Sequence, residues 1–260
     1  MDAIIDFYTN IDIFLLVFTR IIAMLLVLPI FSDKNVPEMA KTGLALMMAI
    51  IIIYASPPMT VTYDASIIGY GFLVIKEVIV GLAIGFIVYM IFQVFFFVGH
   101  LVSMSSGLSM SNMYDPTVGQ QVPVLGSLYN YTASAIFLVT NGHHLVFRGM
   151  VHSYLLIPIG TSQVSASIID QMITMLNNYF IISFKIAAPI MVTMFILDFA
   201  LGILARTAPQ MNMFVIGFPI KIMISLMMIS IAAILMNTAY MYVYDQIEIN
   251  MLGIMQGLRK

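Results

Sequence analysis

Six long apolar runs, separated by short polar stretches, account for most of this chain. A helix needs about 20 apolar residues to cross the hydrocarbon core of a bilayer, and these runs reach or approach that length. The pattern therefore predicts an all-α integral membrane protein with about six long, partly broken hydrophobic helices. The runs cover residues 11–31, 42–55, 67–102, 128–159, 168–206 and 215–243.

Two of these runs are longer than one crossing requires. Residues 67–102 would form a helix of about 54 Å, at ~1.5 Å per residue, against a hydrocarbon core of about 30 Å. The fifth run is longer still and contains Pro189, which we expect to kink or split its helix. The sixth run is expected to lead into a short amphipathic tail. These features predict a fold that differs from a flat bundle of equal spans.

Composition excludes several classes of protein. The chain is 62% hydrophobic and only 8% charged, whereas soluble domains carry about 25% charged residues. Its formal net charge is −2 and it has no basic cluster, so a nucleic-acid-binding role has no electrostatic basis. The absence of cysteine excludes disulfides and thiolate chemistry. The first residues are acidic rather than basic, so we expect the first run to be retained as a helix and not cleaved as a signal peptide.

Charged side chains inside the apolar runs are the strongest chemical signal. Each would cost about 2.5–3.5 kcal/mol at a bilayer centre, so each should face protein or water and have a partner. Lys76 and Glu77 are neighbours on one helix and point about 100° apart, so we expect them to contact different neighbours. The residues concerned are Arg20, Lys76, Glu77, Lys185, Asp198 and Lys221.

Glu77 shares a helical stripe with Gly81 and Gly85, and Asp198 similarly precedes Gly202 by four residues. Small residues at this spacing allow another helix backbone to approach closely. One interpretation is a proton or ion relay, and the other is structural pairing between packed helices. Since neither acid has a second acid at helical spacing, we favour the structural interpretation.

The fourth run carries a polar stripe formed by Asn141, His144, Arg148 and His152. The two histidines would lie about 12 Å apart along a helix, too far to share one metal ion without further ligands. We therefore interpret the stripe as a polar seam between subunits. No HExxH, GxSxG or P-loop motif occurs, so we predict neither catalytic nor metal-binding residues and no cofactor.

Residues 105–126, SSGLSMSNMYDPTVGQQVPVLG, fit neither a solvated loop nor a spanning helix. The stretch contains one charge, two prolines and three glycines. Such a backbone is tolerated at membrane depth only where it is buried in protein or lines a cavity. Its methionines would supply deformable apolar contacts.

Five segments, in order along the chain, resemble the FliR family of flagellar export-gate proteins, whose injectisome relatives are called SctT. The resemblance extends over nearly the whole chain. It implies a non-enzymatic component of the type III export gate that assembles with FliP and FliQ, next to FlhB and FlhA, in the bacterial inner membrane at the flagellar basal body. Unfolded flagellar subunits would pass through this gate. The segments are FTRIIAMLLVLPIFSDKNVP, KEVIVGLAIGF, GLSMSNMYDPTVGQQVPVLG, FLVTNGHHL and DFALGILARTAPQMNMFVIGFPIK.

The same resemblance implies how the chain is organised. Residues 1–165 would be a FliP-like part with a plug loop at 104–126, and residues 166–260 a FliQ-like helical hairpin and tail. The sequence departs from the familiar family pattern at Tyr114, where phenylalanine is usual. The implied plug residues are Met104, Gly107, Leu108, Met110, Met113, Tyr114, Asp115, Pro116, Gln121 and Pro123. The implied contacts between helices or subunits are Arg20, Glu77, Gly81, Gly85, Asn141, His143, Asp198, Arg206, Pro209 and Gln210.

Two alternatives remain at this point. The chain could be a secondary transporter or channel that moves ions or solutes with Glu77 and Asp198, or it could be the injectisome homologue of the same gate. An intramembrane enzyme has no supporting motif.

Overall fold

The computed structural model describes residues 2–259 except 34, 56–58, 60, 62–65, 110–122, 164 and 211. Within these ranges the chain forms seven helices and no strand, which confirms the all-α prediction. The helices are α1 (Asp2–Val27), α2 (Glu38–Ala55), α3 (Ile67–Ser106), α4 (Val124–Val139), α5 (Gly142–Leu156), α6 (Ala166–Thr207) and α7 (Met213–Leu258).

Four of the described helices are long and apolar enough to cross a membrane, which agrees with the predicted class of integral membrane proteins. They are α2, α3 and most of α6 and α7. At 40 residues, α3 is about 60 Å long, roughly twice the thickness of a hydrocarbon core. The sequence-based expectation of oversized helices is therefore confirmed.

The fourth apolar run forms two helices rather than one. Asn141 adopts the left-handed conformation, with φ of 58°, between the end of α4 and the start of α5. Asparagine is one of the few residues other than glycine that occupy this region readily. This one residue accounts for the second helix in a run that was predicted to be continuous.

The fifth and sixth runs are less interrupted than predicted. Helix α6 continues through Pro189, so this residue does not split the helix, and the alternative of a kink stays a prediction. A proline removes one backbone hydrogen bond, and membrane helices tolerate this loss when nearby groups compensate. Helix α7 likewise continues through Pro219 to Leu258, so the predicted tail is the end of the same helix.

The described chain forms two compact units. Unit 1 comprises Met1–Met90, Asn141–Leu176 and Gln246–Lys260, and unit 2 comprises Ile91–Thr140 and Asn177–Asp245. Helices α3, α6 and α7 contribute residues to both units. The predicted division at residue 165 concerns resemblance to other proteins, and it stays a prediction.

In unit 2, the second half of α3 packs closely against α4. A Cβ atom at Gly99 of α3 would lie 2.6 Å from Cα of Gly126 in α4, so only glycine permits this approach. Phe92 packs edge-on against Phe137 with ring centroids 5.3 Å apart. Helices α3 and α4 therefore pack directly against each other.

Candidate functional site: a buried polar centre in unit 1

Unit 1 contains a fully buried ion pair between two apolar helices. Arg20 of α1 and Glu77 of α3 have no solvent-exposed side-chain surface. The Arg20 Nε donates a hydrogen bond to Glu77 Oε2 at 2.6 Å. Each charge would be costly alone in these helices, and the pairing compensates for part of that cost.

The guanidinium of Arg20 has three further contacts. Nη1 donates to Ser153 Oγ and Nη2 donates to the carbonyl of Ile157, both at 3.1 Å. The guanidinium carbon lies 4.2 Å from the ring centroid of Tyr154, which is cation–π geometry. Arg20 thus connects α1 to both the end of α5 and the turn that follows it.

The turn after α5 is also held by α3. The backbone N–H of Gly160 donates to Glu77 Oε1 at 2.8 Å, and Lys76 Nζ donates to the Gly160 carbonyl at 2.9 Å. We expected Lys76 and Glu77 to contact different neighbours, and this is only partly right. They do not pair with each other, but both bind the backbone of Gly160. Glu77 accepts a hydrogen bond from its N–H group, and Lys76 donates one to its C=O group.

Gly160 occupies a position that strongly favours glycine. Its φ is +76°, and a Cβ atom there would lie 2.5 Å from Leu73 Cδ2. A left-handed backbone costs an L-residue about 1–2 kcal/mol, and the contact with Leu73 would add to this. Glycine at position 160 therefore allows the turn to present its amide to Glu77.

The glycine stripe on α3 explains how Arg20 comes so close to Glu77. A Cβ atom on Gly81 would collide with the backbone carbonyl of Arg20, and one on Gly85 would lie 2.7 Å from the carbonyl of Met24. The two glycines thus allow the backbones of α1 and α3 to approach closely.

The chemistry of the centre suits an anchor. Both carboxylate oxygens of Glu77 already accept hydrogen bonds, one from a cation and one from a backbone amide. Its side chain has no exposed surface from which to exchange protons with solvent. In the described part of the chain, no group of three or more His, Asp or Glu residues could hold a metal ion.

Unit 2 contains a second ion pair. Lys221 Nζ of α7 lies 2.7 Å from Asp198 Oδ1 of α6, and the side chains are 20% and 52% exposed. A Cβ atom added at Gly202, one turn further along α6, would meet no described atom within 4 Å. The stripe of Asp198 and Gly202 therefore does not repeat the close packing found at Glu77.

The predicted polar stripe lies at the surface of unit 1. Asn141 precedes α5, and His144, Arg148 and His152 are exposed along that helix. His143 is half-buried, with its ring centroid 4.2 Å from that of His144. Its Nδ1 is buried without a hydrogen-bond partner among the described residues.

The structure describes only the two ends of the predicted plug. Met104 is exposed near the end of α3, Gly107 leaves the helix with φ of +79°, Leu108 is half-buried, and the buried Pro123 precedes α4. The remaining predicted plug residues, Met110, Met113, Tyr114, Asp115, Pro116 and Gln121, lie outside the described residues.

Three predicted contact residues lie at the end of α6 and in the turn before α7. Arg206 is in the last turn of α6, and Pro209 and Gln210 follow the helix. All three are exposed in unit 2. Their predicted role in contacts between subunits stays a prediction.

Four residues of the buried centre were not singled out from the sequence. Ile157 and Gly160 act through backbone groups, and residue type does not indicate which backbone groups form such contacts. Ser153 and Tyr154 resemble ordinary helix residues. The one usable signal was Pro158 followed by Gly160, which indicates a turn directly after an apolar run.

The fold and the site define an integral membrane protein built from closely packed helices that are joined by a buried polar anchor. Residues 11–247 match the family described as Bacterial export proteins, family 1. The chain is 35% identical to Flagellar biosynthetic protein FliR of Bacillus subtilis (strain 168), with 88% of each chain covered. It is 29% identical to the Escherichia coli (strain K12) protein of that name, over 84% of this chain and 81% of the relative.

A further relative has a different name. The chain is 25% identical to Yop proteins translocation protein T of Yersinia pestis, over 90% of this chain and 92% of the relative. The chain belongs to the FliR/SctT family of bacterial export proteins.

Proposed function

We propose that this chain is a subunit of the bacterial type III protein export gate, of the flagellar kind, through which unfolded flagellar subunits are secreted. The observation that carries the proposal is similarity to flagellar FliR proteins over nearly the whole chain. Identity to the Bacillus subtilis and Escherichia coli flagellar proteins, at 35% and 29%, exceeds the 25% identity to the Yersinia translocation protein, and this difference supports the flagellar kind.

The proposed partners are FliP and FliQ within the gate, with FlhB and FlhA as neighbours, in the inner membrane at the flagellar basal body. Exposed apolar side chains in unit 2 support this proposal, because lipid or other subunits would cover them. Phe195 and Phe199 of α6 are 72% and 68% exposed, and Met223 and Ile234 of α7 are 70% and 79% exposed. Apolar patches of this kind mark protein or membrane contacts.

Residues 107–124 would plug the central channel. Support comes from the ends of this segment, since Gly107 ends α3 and Pro123 starts α4. The close packing of Gly99 against Gly126 brings α3 and α4 together near both ends. A segment joined to two adjacent helices would be held in place at both ends.

The transporter alternative would need a carboxylate free to take up and release protons or ions. Glu77 is buried and hydrogen-bonded through both oxygens, and Asp198 is paired with Lys221. These contacts favour a structural role for both acids. We propose a gate subunit that is non-enzymatic and uses no cofactor, as the resemblance to the family implies.

The proposal is tested by expressing the tagged chain with and without FliP and FliQ. We expect the chain to purify as one stable complex with both proteins, and to aggregate or be degraded when it is expressed alone. A chain that is stable without partners and transports solutes in proteoliposomes would contradict the proposal.

The plug is tested separately by deleting residues 107–124. We expect the complex to assemble while the cells leak ions, because the channel loses its seal. An intact complex with no increase in leakage would refute the sealing role and would leave the proposed gate function unaffected.

A further inference from the structure

A groove in unit 1 lies between α2 and α5, and we call it the α5 groove. Ile51 and Ile52 of α2 line one wall, and Phe147, Val151 and Leu155 of α5 line the other. Its volume is about 500 Å³. Clefts of about 300–1,000 Å³ with mainly apolar walls and a few polar groups are typical of sites for small ligands.

The polar groups of the α5 groove are all basic or neutral. His144, Arg148 and His152 lie at successive turns of α5 and are exposed along the groove. No acidic residue is among its described lining residues. The groove therefore combines an apolar channel with a cation at its edge.

Arg148 has no ion pair among the described residues. Glu248 of α7 lines a neighbouring cavity of about 420 Å³ with Arg148 and His152 but forms no salt bridge with Arg148. Arg148 is therefore available to an anionic ligand at the groove. The planar guanidinium matches a phosphate through two parallel hydrogen bonds.

We propose that the α5 groove binds one anionic phospholipid, with its phosphate at Arg148 and an acyl chain along the apolar walls. The two histidines can donate further hydrogen bonds to the headgroup. A basic pocket between membrane helices is a known type of lipid-headgroup site. This inference concerns a ligand of the chain and does not depend on the proposed export function.

The chemistry of the groove favours a lipid over a helix from a partner protein. The cation at the groove edge and the apolar channel beside it match the two ends of one amphiphile. A partner helix with an acidic residue opposite Arg148 is the competing occupant.

The test uses the full chain in complex with its co-expressed partners, delipidated in a mild detergent. Native mass spectrometry would compare binding of phosphatidylglycerol with that of phosphatidylcholine carrying the same acyl chains. We expect tighter binding of phosphatidylglycerol. Arg148→Gln should weaken its binding about five-fold, because one cation near a headgroup phosphate contributes about this much. Phosphatidylcholine should be weakened less, because its choline cation already offsets the charge of its phosphate.

Two further variants separate the headgroup from the acyl chain. Arg259→Gln removes the same charge from an exposed position after α7 and should leave lipid binding unchanged. Ile51→Trp fills the channel at a residue that is 53% exposed, so the core stays intact. It should weaken both lipids. Because Ile51→Trp retains Arg148, the proposal remains testable if Arg148→Gln fails to fold.

Four results would overturn the proposal. Equal binding of the two lipids would remove the role of the headgroup charge, and equal effects of Arg148→Gln and Arg259→Gln would remove the role of the groove. Displacement of the phosphatidylglycerol preference by inorganic phosphate, with no effect of Ile51→Trp, would indicate an anion site without a lipid. Unchanged lipid binding together with loss of a co-purifying partner in Arg148→Gln would identify the groove as a protein interface.

Discussion

The two ion pairs between helices, Arg20–Glu77 in unit 1 and Lys221–Asp198 in unit 2, are made of the same chemistry in opposite surroundings. The first pair has no exposed side-chain surface, and its charges have further contacts with Ser153 and the Gly160 amide. The second pair is 20% and 52% exposed and has only the direct contact among the described interactions.

The difference in burial between the two pairs shows where a charged residue constrains the fold of an apolar chain. A buried pair becomes tolerable only when its remaining donors and acceptors are also bound, so it fixes every segment that supplies them. The Arg20–Glu77 centre fixes α1, α3 and the turn after α5. An exposed pair places no such demand on its surroundings.

The largest effect is expected from Glu77→Gln, which keeps the shape of the side chain and leaves the Arg20 charge buried and unpaired. We expect the free energy of unfolding to fall by about 3–5 kcal/mol, the usual cost of removing one partner of a buried pair. Urea titration of the protein in detergent, followed by circular dichroism, measures this change. A loss below about 1 kcal/mol would mean that the buried pair contributes no more to stability than the exposed pair, which would contradict the account.

The next largest effect tests whether the close approach of α1 and α3 in unit 1 depends on glycine. Gly81→Ala places a methyl group against the Arg20 carbonyl and should destabilise the chain by about 1–3 kcal/mol through overpacking. Gly71→Ala, on the same helix with nothing within 4 Å, is the matched control. It should stabilise the chain by up to about 1 kcal/mol, since alanine is the better helix former. Equal effects in the two variants would contradict the account of the glycine stripe.

A smaller effect distinguishes two turns with the same backbone requirement. Gly160 and Gly107 have φ of +76° and +79°, so alanine is strained at both positions, by about 1–2 kcal/mol. A Cβ atom would meet Leu73 at 2.5 Å in the first case and Phe218 at 3.3 Å in the second. Thermal unfolding should therefore show the larger loss for Gly160→Ala. The reverse order would mean that the Gly160 turn is less constrained than its hydrogen bonds indicate.

The smallest effect is expected at the exposed pair. Asp198→Asn keeps the size of the side chain and removes its charge, and the free energy of unfolding in detergent should fall by less than about 1 kcal/mol. The same urea titration compares it directly with Glu77→Gln. A loss of about 3 kcal/mol or more would show that the Lys221–Asp198 pair is as demanding as the buried one.

The sequence was sufficient for the fold class because apolar runs of this length have few alternatives to helices in a membrane. It also identified Arg20 and Glu77, since a charge within an apolar run requires a partner. The stripe of Gly81 and Gly85 was visible for a similar reason, because small residues four positions apart allow close packing.

The remaining features depended on backbone conformation and tertiary contacts. Asparagine permits the left-handed conformation but does not require it, so the sequence did not predict that Asn141 would divide the fourth run into α4 and α5. Pro189 was expected to interrupt α6, but the helix continues through it. The partners of Glu77 include the amide of Gly160, and a backbone group has no signature in a sequence.

The most direct test of the central claim, that the Arg20–Glu77 centre is an anchor and not a proton relay, is the swimming speed of cells that carry Arg20→Gln together with Glu77→Gln. The double variant has no unpaired buried charge, and its amide oxygen can still accept the Gly160 hydrogen bond. The account predicts that cells with the double variant swim faster than cells with Glu77→Gln alone, in a strain that lacks the native chain. Equal immotility of both strains, with both chains present in the membrane at wild-type levels, would show that the carboxylate itself is required and would contradict the account.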